Sequence, residues 1–353
     1  MSLRLPHTDL HPHIWEINPS ECPPATKPAE LLTFLLRYAI LAPSVHNTQP
    51  WQCSITGASL TLRQDPNVQL RDSDPTARET YISFGAFVAN LEIAAKAFGH
   101  SLKISWLPSG YRDLSHIAEI ELHPGKKETS PDTEALDALR HRRNYRGKFT
   151  SENVPQAVIS ELQALQTPRS ETSLTLVTDR PLQKKIAALI QLAATFGFSN
   201  QKFRRELADF IVPNNTKRLD GIPGYASNIQ STFSSQMMPH VIRGANIGPW
   251  QGRTLRDAVL SAPVLACIGG TDDAYHGWLS SGYYLQQVLT TATKHGLAHS
   301  IWAALIELPG ASPKLQRMVG TPHRPHIFFG LGHASQLPRH SARKPVSAIL
   351  KKH

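Results

Sequence analysis

The chain has 353 residues, of which 41% are hydrophobic and 18% charged, as is ordinary for a globular protein with a substantial core. The formal net charge of +10 favours anionic partners such as nucleic acid, anionic lipid or a phosphorylated cofactor. The basic clusters are short and contain no interleaved aromatic residues, which makes nucleic acid the least favoured partner, and the three cysteines suit neither a disulfide framework nor a zinc site.

The early sequence has no apolar run of the length that a signal peptide or a membrane span requires. The longest such run, at 31–41, is interrupted by Arg37. An odd, low cysteine count is typical of a reducing compartment. We therefore expect a cytoplasmic protein with no membrane partner and no nucleic-acid partner.

Residues 1–28 have no clear period and are predicted to form an N-terminal arm. The hydrophobic pattern that follows predicts helices at 29–41 and 81–98 and strands at 52–56, 59–63, 102–106 and 117–122. The polar stretch 123–131 is the best linker candidate. A first half is therefore predicted at 29–130 and a second half at 131–353.

The second half continues the alternation of helices and strands. Its pattern predicts helices at 133–140, 156–165, 182–196, 279–295 and 313–319 and strands at 173–177, 263–268, 299–303 and 325–330. Residues 213–253 are rich in Gly, Pro, Asn, Ser and Met and show no sustained period. Because this stretch is too long for a plain connection, we interpret it as a lid-like insertion or binding loop. The fold class is α+β or α/β.

The two long apolar helices resemble each other. Gly85 and Gly99 are 14 residues apart, and Gly282 and Gly296 are separated by the same distance along the chain. The strand letters S-L-T-L also occur twice, at 59–62 and 173–176. Two apolar helices of equal length can match by chance, but the similar order of elements around them favours an internal duplication.

The segment 42–51, A-P-S-V-H-N-T-Q-P-W, is the most specific of the sequence. It joins the end of a predicted helix to the start of a strand. Its short polar groups can bond a heteroatom ring or a phosphate, and its prolines fix the path of the chain. The alternative interpretation is a purely structural one, a capped loop that ends in a core tryptophan. A run of ten residues of this kind makes that alternative less favoured.

This segment resembles the motif A-P-S-x-x-N-x-Q-P-W of the nitroreductase family, in the form found in its Acg-like, FMN-binding branch. Further matches follow in the expected order: Asp74-Pro75, Arg78-Glu79, Ser83-x-Gly85, the basic head Arg142-Arg143-Asn144-Tyr145-Arg146, Gly330-Leu331-Gly332 and the tail Arg343-Lys344-Pro345. Each short match is weak alone, and their order along most of the chain supports the resemblance.

In that family, FMN lies between two subunits. The basic head and the tail arginine of one subunit hold the phosphate, and the A-P-S loop of the other lies beside the ring and ribityl chain. Here the loop falls in the first half and the head in the second. Residues 165–169 read L-Q-T-P-R where a second loop would lie. The resemblance therefore implies a nitroreductase-like α+β fold of two fused half-domains, an intramolecular pseudo-dimer with one FMN that needs no second copy.

The residues that the resemblance implies for FMN binding are Pro43, Ser44, Asn47, Gln49, Pro50, Trp51, Arg142, Asn144, Arg146, Gly330 and Arg343. Guanidinium groups suit a phosphate dianion because they form paired, charge-assisted hydrogen bonds. Asn144 stands where the family usually has Ser or Thr, and its amide can still donate. Without the rest of the pattern, residues 142–146 would be interpreted as a solvated basic turn.

Flavin supplies hydride chemistry itself, so neither a catalytic side chain nor a metal ion is expected. The resemblance implies an oxidoreductase in which NAD(P)H is a transient reductant and a nitroaromatic, a quinone or a similar flat small molecule is the acceptor. The alternative is an FMN-sequestering or redox-responsive binding protein whose insertion at 213–253 excludes the nicotinamide. Met237, Met238 and Trp250 of that insertion either cap the ring or pack on the core.

Overall fold

The structure is a computed structural model that describes residues 14–125, 132–166 and 171–351. The first part of the predicted N-terminal arm lies outside the described residues. Most of the linker candidate at 123–131 also lies outside them. The same is true of positions 167–169, the end of the L-Q-T-P-R segment.

The helices are α1 (Pro28–Ala39), α2 (Arg78–Ala97), α3 (Thr133–His141), α4 (Gln156–Ala164), α5 (Arg180–Ser199), α6 (Gln201–Phe210), α7 (Thr232–Gly244), α8 (Gly248–Ser261), α9 (Tyr275–Lys294), α10 (Ala304–Glu307), α11 (Ala311–Val319) and α12 (Val346–Ile349). The strands are β1 (Trp51–Thr56), β2 (Ser59–Gln64), β3 (His100–Trp106), β4 (His116–Pro124), β5 (Thr172–Val177), β6 (Ile211–Val212), β7 (Ile222–Pro223), β8 (Val264–Gly270), β9 (Ala298–Ile301) and β10 (Arg324–Gly332). Every predicted helix and strand is confirmed, and five helices (α6, α7, α8, α10 and α12) and two short strands (β6 and β7) are additional.

Two four-stranded sheets carry the fold, and both are antiparallel throughout. The strand order is β1-β2-β4-β3 in the first sheet and β5-β8-β10-β9 in the second. The helix α2 follows β2 along the chain, just as α9 follows β8. The two orders therefore correspond strand by strand: β1 with β5, β2 with β8, β4 with β10 and β3 with β9. The separate antiparallel sheets and the helices packed against them make the class α+β.

The long helices α2 and α9 cross at two glycines that occupy equivalent positions. A Cβ atom on Gly85 would collide with the carbonyl oxygen of Leu279, and a Cβ atom on Gly282 would collide with that of Ile82. These reciprocal contacts relate the two halves by an approximate twofold axis. They show why both helices need a glycine at this position, since any side chain would force the backbones apart.

The strand comparison made from the sequence is wrong. The S-L-T-L letters at 59–62 lie in β2, and those at 173–176 lie in β5. In the sheets, β5 corresponds to β1 at an edge, whereas β2 corresponds to the interior strand β8. The helix glycines thus occupy matching positions in the two halves, whereas the two S-L-T-L segments do not.

Residues 213–253 show no sustained period in the sequence, yet the structure has regular elements there. The stretch contains β7, all of α7 and the start of α8. Its helical period escapes detection because α7 contains Pro239 and buries only Ser235 and Ile242 among its 13 residues. The packing of this insertion is separate, in a small cluster that includes Leu207, Ile242 and the partly buried Met238.

The first residues of α2 bring a glutamate to the inner face of the molecule. The Asp74 carboxylate accepts the backbone N–H groups of Glu79 (3.1 Å) and Thr80 (2.8 Å), which satisfies donors that a helix start leaves unpaired. Ala77 enters the helix with a left-handed φ of 61°. No helix among the described residues is long and apolar enough to cross a membrane.

Candidate functional site

A cavity of about 210 Å3 lies where the two halves meet. We call it the arginine cavity, because Arg142, Arg146 and Arg343 are among its lining residues. The first half contributes the 43–47 loop and the inner face of α2. The second half contributes the basic head after α3, the end of β9 and the C-terminal tail. Of the eleven residues predicted from the sequence, seven line this cavity: Pro43, Ser44, Asn47, Arg142, Asn144, Arg146 and Arg343.

The 43–51 loop is held in an uncommon backbone conformation. His46, Asn47 and Gln49 have positive φ values of 48°, 57° and 52°. Such conformations are disfavoured for residues other than glycine and persist where surrounding contacts impose them. Here the Ser44 hydroxyl accepts the backbone N–H of Gln49 at 3.0 Å, and the Ser83 hydroxyl accepts that of Val45 at 3.1 Å. The loop is therefore fixed from within and from α2.

The side-chain amide of Asn47 connects the loop to distant parts of the chain. Its Oδ1 accepts a hydrogen bond from Arg343 Nη1 at 2.8 Å. Its Nδ2 donates to the carbonyl oxygens of Gly221 (3.1 Å) and Ala342 (3.2 Å). Asn47 thus orients a tail arginine and holds the insertion against the tail.

The amide of Gln49 makes a second set of such connections. Its Nε2 donates to the Leu219 carbonyl at 2.6 Å, and its Oε1 accepts the backbone N–H of Lys344 at 2.7 Å. The side chain is fully buried and does not line the cavity. Both polar atoms of its side chain form hydrogen bonds that join the loop to the insertion and to the tail.

Two buried arginines dominate the electrostatics of the cavity. Arg142 is 3% exposed and Arg343 is 4% exposed, and both donate to the Leu41 carbonyl, at 2.9 and 3.4 Å. Neither forms an ion pair with a carboxylate within the described part of the chain, and the Nε of each is buried there without an acceptor. Desolvation lowers the pKa of Arg142 to about 10 and that of Arg343 to about 9. Unpaired buried charges of this kind call for an anion.

The basic head is docked on the second sheet. Asn144 Oδ1 accepts the backbone N–H of Ile301 at 3.0 Å, and the N–H of Tyr145 donates to the His299 carbonyl at 2.7 Å. Arg142 is buried, and Arg146 borders the cavity with exposed surface. The solvated-turn interpretation is therefore wrong for the buried Arg142, whereas Arg146 keeps the exposed surface that this interpretation implies.

The remaining four predicted residues lie outside the cavity wall. Gln49 and Pro50 are buried in the loop, and Trp51 packs its indole on Phe87 with ring centroids 4.8 Å apart. Gly330 lies inside β10, where a Cβ atom would be 2.5 Å from the Trp302 ring. These positions support the wall from behind, and the structure does not bring them into contact with the cavity.

Two glutamates that were not selected from the sequence also line the cavity. Glu79 comes from α2 and Glu307 from α10. Desolvation, with a smaller contribution from Asp74, raises the pKa of Glu79 to about 7, although Arg78 at 3.6 Å opposes the shift. Glu307 is an exposed residue of the wall, and partial desolvation, then repulsion from Glu79, raises the pKa of its carboxyl. Glu79 belongs to a quoted motif, whereas no sequence signal marked Glu307.

A second cavity of about 390 Å3 occupies the equivalent position on the other side of the helix pair. We call it the counterpart cavity. Ser83 and Ala86 of α2 line the arginine cavity, and the matching residues of α9, Ser280 and Tyr283, line the counterpart cavity. Ala303 after β9 likewise corresponds to Trp106 of β3. Two small residues are thus replaced by two bulky aromatic ones.

The counterpart cavity has the opposite electrostatic character. Among the described residues, its wall contains no arginine and no lysine, and it includes Glu171. The cationic and loop elements are therefore combined in one cavity only. Leu165 lines the counterpart cavity, and residues 167–170 lie outside the described residues.

The insertion forms part of the cavity wall through residues 221–226. Gly221, Ile222, Pro223 and Ala226 line the arginine cavity. The residues suggested from the sequence for this role do not. Met237 and Trp250 are 45% and 54% exposed, respectively, and neither they nor Met238 line the cavity.

Comparisons with known proteins agree with the motifs. The chain is 30% identical over 270 residues to the "Putative NAD(P)H nitroreductase Rv3131" of Mycobacterium tuberculosis, which covers 76% of this chain and 75% of that protein. It is 24% identical over 328 residues to the "Putative NAD(P)H nitroreductase acg" of the same organism, covering 91% of this chain and 95% of that protein.

Among solved structures, the crystal structure of the FMN and NADPH-dependent nitroreductase NfnB from Sphigopyxis sp. strain HMH has a TM-score of 0.41 and 16% identity, covering 62% of this chain and 98% of that chain. No protein-family model matches the chain. The Rv3131 relative reaches 30% identity over 75% of its own length, and the chain therefore belongs to the nitroreductase family.

Proposed function

We propose that the protein is an FMN-dependent oxidoreductase that uses NAD(P)H to reduce flat acceptors such as nitroaromatics or quinones. The observation that carries the proposal is the pair Arg142 and Arg343, two buried guanidinium groups without a carboxylate partner among the described residues, in one cavity with the 43–47 loop. The names of the curated relatives support the NAD(P)H-linked reaction class.

The donor set of the cavity fits a phosphorylated flavin. Arg142, Arg146 and Arg343 would hold the phosphate, since guanidinium groups bind such a dianion through several charge-assisted hydrogen bonds. Pro43 and Ser44 would lie beside the ring system. FMN, when bound, supplies the hydride chemistry.

Three other predicted residues would act within the protein framework rather than as direct ligands. Asn47 orients Arg343, and Asn144 anchors the head on β9. Gln49 fixes the loop to the tail through its bond to the Lys344 backbone. In this proposal Pro50, Trp51 and Gly330 support the wall, and a single chain supplies the complete site.

The two glutamates give the cavity a source of protons. Reduction of a quinone by a hydride also consumes one proton at the carbonyl oxygen. The raised pKa of Glu79, about 7, leaves a carboxyl proton on the cavity wall near neutral pH, and the pKa of the exposed Glu307 is raised as well. A general acid works best when its pKa lies near the working pH.

The proposal is tested on the purified chain by cofactor content and reduction kinetics. We expect a yellow protein with one FMN per chain, whose flavin absorbance bleaches rapidly on stopped-flow mixing with NADH or NADPH. Arg343→Met should lose the flavin, whereas Arg243→Met, which removes a half-exposed arginine on α7 paired with Asp209, should retain it. A colourless protein that binds no added FMN would refute the cofactor assignment.

We also propose a second candidate function, FMN sequestration, because the insertion reaches the cavity. The Leu219 carbonyl accepts a hydrogen bond from Gln49, and the Gly221 carbonyl accepts one from Asn47. The Tyr225 hydroxyl donates to the His340 carbonyl at 3.0 Å. Such a cover would exclude the nicotinamide from bound flavin. A flavin spectrum that stays unchanged for minutes after mixing with either nucleotide favours this function over the enzyme.

A further inference from the structure

Trp15 is a wall residue of the arginine cavity that belongs to neither repeated half. It precedes α1, is 7% exposed and shares the cavity with Arg142 and Arg343. No motif or period in the sequence marks it. Its contacts connect the two chain segments that carry the arginines.

The indole of Trp15 contacts three of the four consecutive tail residues 340–343. Its ring stacks on the His340 imidazole, with centroids 4.1 Å apart and an interplanar angle of 15°. Its Nε1 donates to the Ser341 carbonyl at 3.2 Å. The guanidinium carbon of Arg343 lies 4.9 Å from the ring centroid, which is within the range of a cation–π contact.

The same residue is hydrogen-bonded to the last turn of α3, directly before the basic head. The Trp15 carbonyl accepts a hydrogen bond from Arg140 Nε at 3.1 Å. His340 Nε2 donates to the Arg140 carbonyl at 2.9 Å, and its Nδ1 faces Arg143 Nη2 at 3.4 Å. A neutral imidazole protonated on Nε2 satisfies both bonds. Burial, with a contribution from Arg143, holds the pKa of His340 at about 3, in agreement with that form.

We propose that Trp15 is a positioning residue for anion binding: it fixes the tail on the head so that Arg343 and Arg142 are in place before the ligand enters. This inference rests on the proposed FMN site. The physical reason is preorganisation, since a guanidinium held over an aromatic face loses little side-chain freedom when it binds a phosphate. Without the indole, the tail would become ordered only when the ligand binds. The loss of conformational entropy would then weaken binding.

The test compares three variants of the full chain by titrating flavin-free protein with FMN and following the quenching of flavin fluorescence. Trp15→Leu should raise the Kd by about tenfold or more, because it removes the stack, the cation–π contact and the Nε1 donor. Trp15→Phe keeps an aromatic face and should raise the Kd by about threefold. Ile17→Ala is the matched control, because Ile17 is buried in the same segment and does not line the cavity.

Hydrogen exchange of the flavin-free protein supplies a readout that does not depend on the cofactor. Backbone amides at 339–344 should exchange about tenfold faster in Trp15→Leu than in wild type, and Ile17→Ala should not reproduce this change. A Kd within twofold of wild type for Trp15→Leu overturns the positioning role, as does an equal rise in Kd for Ile17→Ala. If wild type binds no FMN, the cofactor assignment fails separately, and the exchange rates alone decide the role of Trp15.

Discussion

The arginine cavity and the counterpart cavity lie at matching positions in the two halves of the molecule. Both lie beside the crossing of α2 and α9, and both are bordered by a serine on a long helix, Ser83 in one and Ser280 in the other. They differ in what surrounds that frame. The first has small residues, the strained loop and unpaired arginines, whereas the second has Tyr283 and Trp106 and no basic lining residue within the described part of the chain. The two cavities therefore share a frame, and they differ in side-chain size, in charge and in the presence of the loop.

The largest effect is expected from copying the counterpart side chain into the arginine cavity. Ala303→Trp places an indole where the counterpart has Trp106, so it should fill the space between the arginines and α2. We expect the affinity for FMN to fall by about 100-fold or more, as measured by fluorescence titration, because a filled cavity cannot admit the ring.

The reverse change supplies the control. Trp106→Ala enlarges the counterpart cavity, but this cavity still lacks arginines and the loop. We expect the flavin content to remain one FMN per chain. A second FMN bound by Trp106→Ala would show that size, rather than charge and loop geometry, distinguishes the two cavities.

A smaller effect is expected from Asn47, which carries the difference in loop geometry. Asn47→Ala leaves the guanidinium of Arg343 without one acceptor and frees the Gly221 carbonyl from its donor. A lost hydrogen bond to a charged group costs about 1.5–3 kcal/mol, so the Kd for FMN should rise about 10- to 100-fold. Titration of the variant against wild type measures this change.

The matched control for Asn47 is Asn67→Ala, on an exposed turn where the side chain bonds only Asp65. It should leave both the Kd and the melting temperature close to wild type. Unchanged FMN affinity in Asn47→Ala would mean that Arg343 holds its orientation without the loop. The connection between the two halves would then play no part in binding.

Sequence reasoning located the frame of the fold because its signals are local. Helical period and the glycines at 85 and 282 depend on neighbouring residues, and the structure has the crossing that they require. The motif loop and the arginine head were also found, since their residue types match the chemistry of a phosphate site. What failed was the direction of side chains: Gln49 and Trp51 lie in the motif and turn into the protein interior.

Other parts of the cavity have no local signal. Trp15 and Glu307 reach the wall only through the packing of distant segments, so no spacing along the chain predicts them. The α7 helix was missed because its exposed face bears apolar residues, such as Phe233 and Val241, and the helix contains a proline. Long-range packing decides these positions, and periodicity measures only the local part.

The smallest expected effect concerns the pH dependence of stability, to which the glutamates of the arginine cavity contribute. The pKa of Glu79 is raised to about 7 from an ordinary value of 4.5, so the folded state holds its proton where the unfolded state has lost it. This contribution to stability is present at low pH and is lost as the pH rises from about 4.5 through 7. Glu307 acts in the same direction, but because it is exposed its contribution is small.

Buried histidines act in the opposite direction at lower pH. Burial lowers the pKa of His46 to about 4 and that of His340 to about 3, so the unfolded state binds more protons than the folded state below pH 6.5. Their contribution grows as the pH rises to 6.5 and is constant above it. Above pH 6.5 these histidines add no slope, and Glu79 contributes a fall in stability as its carboxyl loses its proton.

Glu79→Gln should remove part of that slope, because an amide cannot lose a proton. We expect the variant to be more stable than wild type by about 1–2 kcal/mol at pH 8.5 and close to wild type at pH 5.5, as measured by urea unfolding at each pH. Glu134→Gln, at an exposed position on α3, is the control and should follow the wild-type curve. A Glu79→Gln curve parallel to wild type would mean that the carboxylate is as well solvated in the cavity as in the unfolded chain. Glu79 would then titrate near its ordinary pKa and would be ionised at neutral pH. It could not supply a proton to a substrate there.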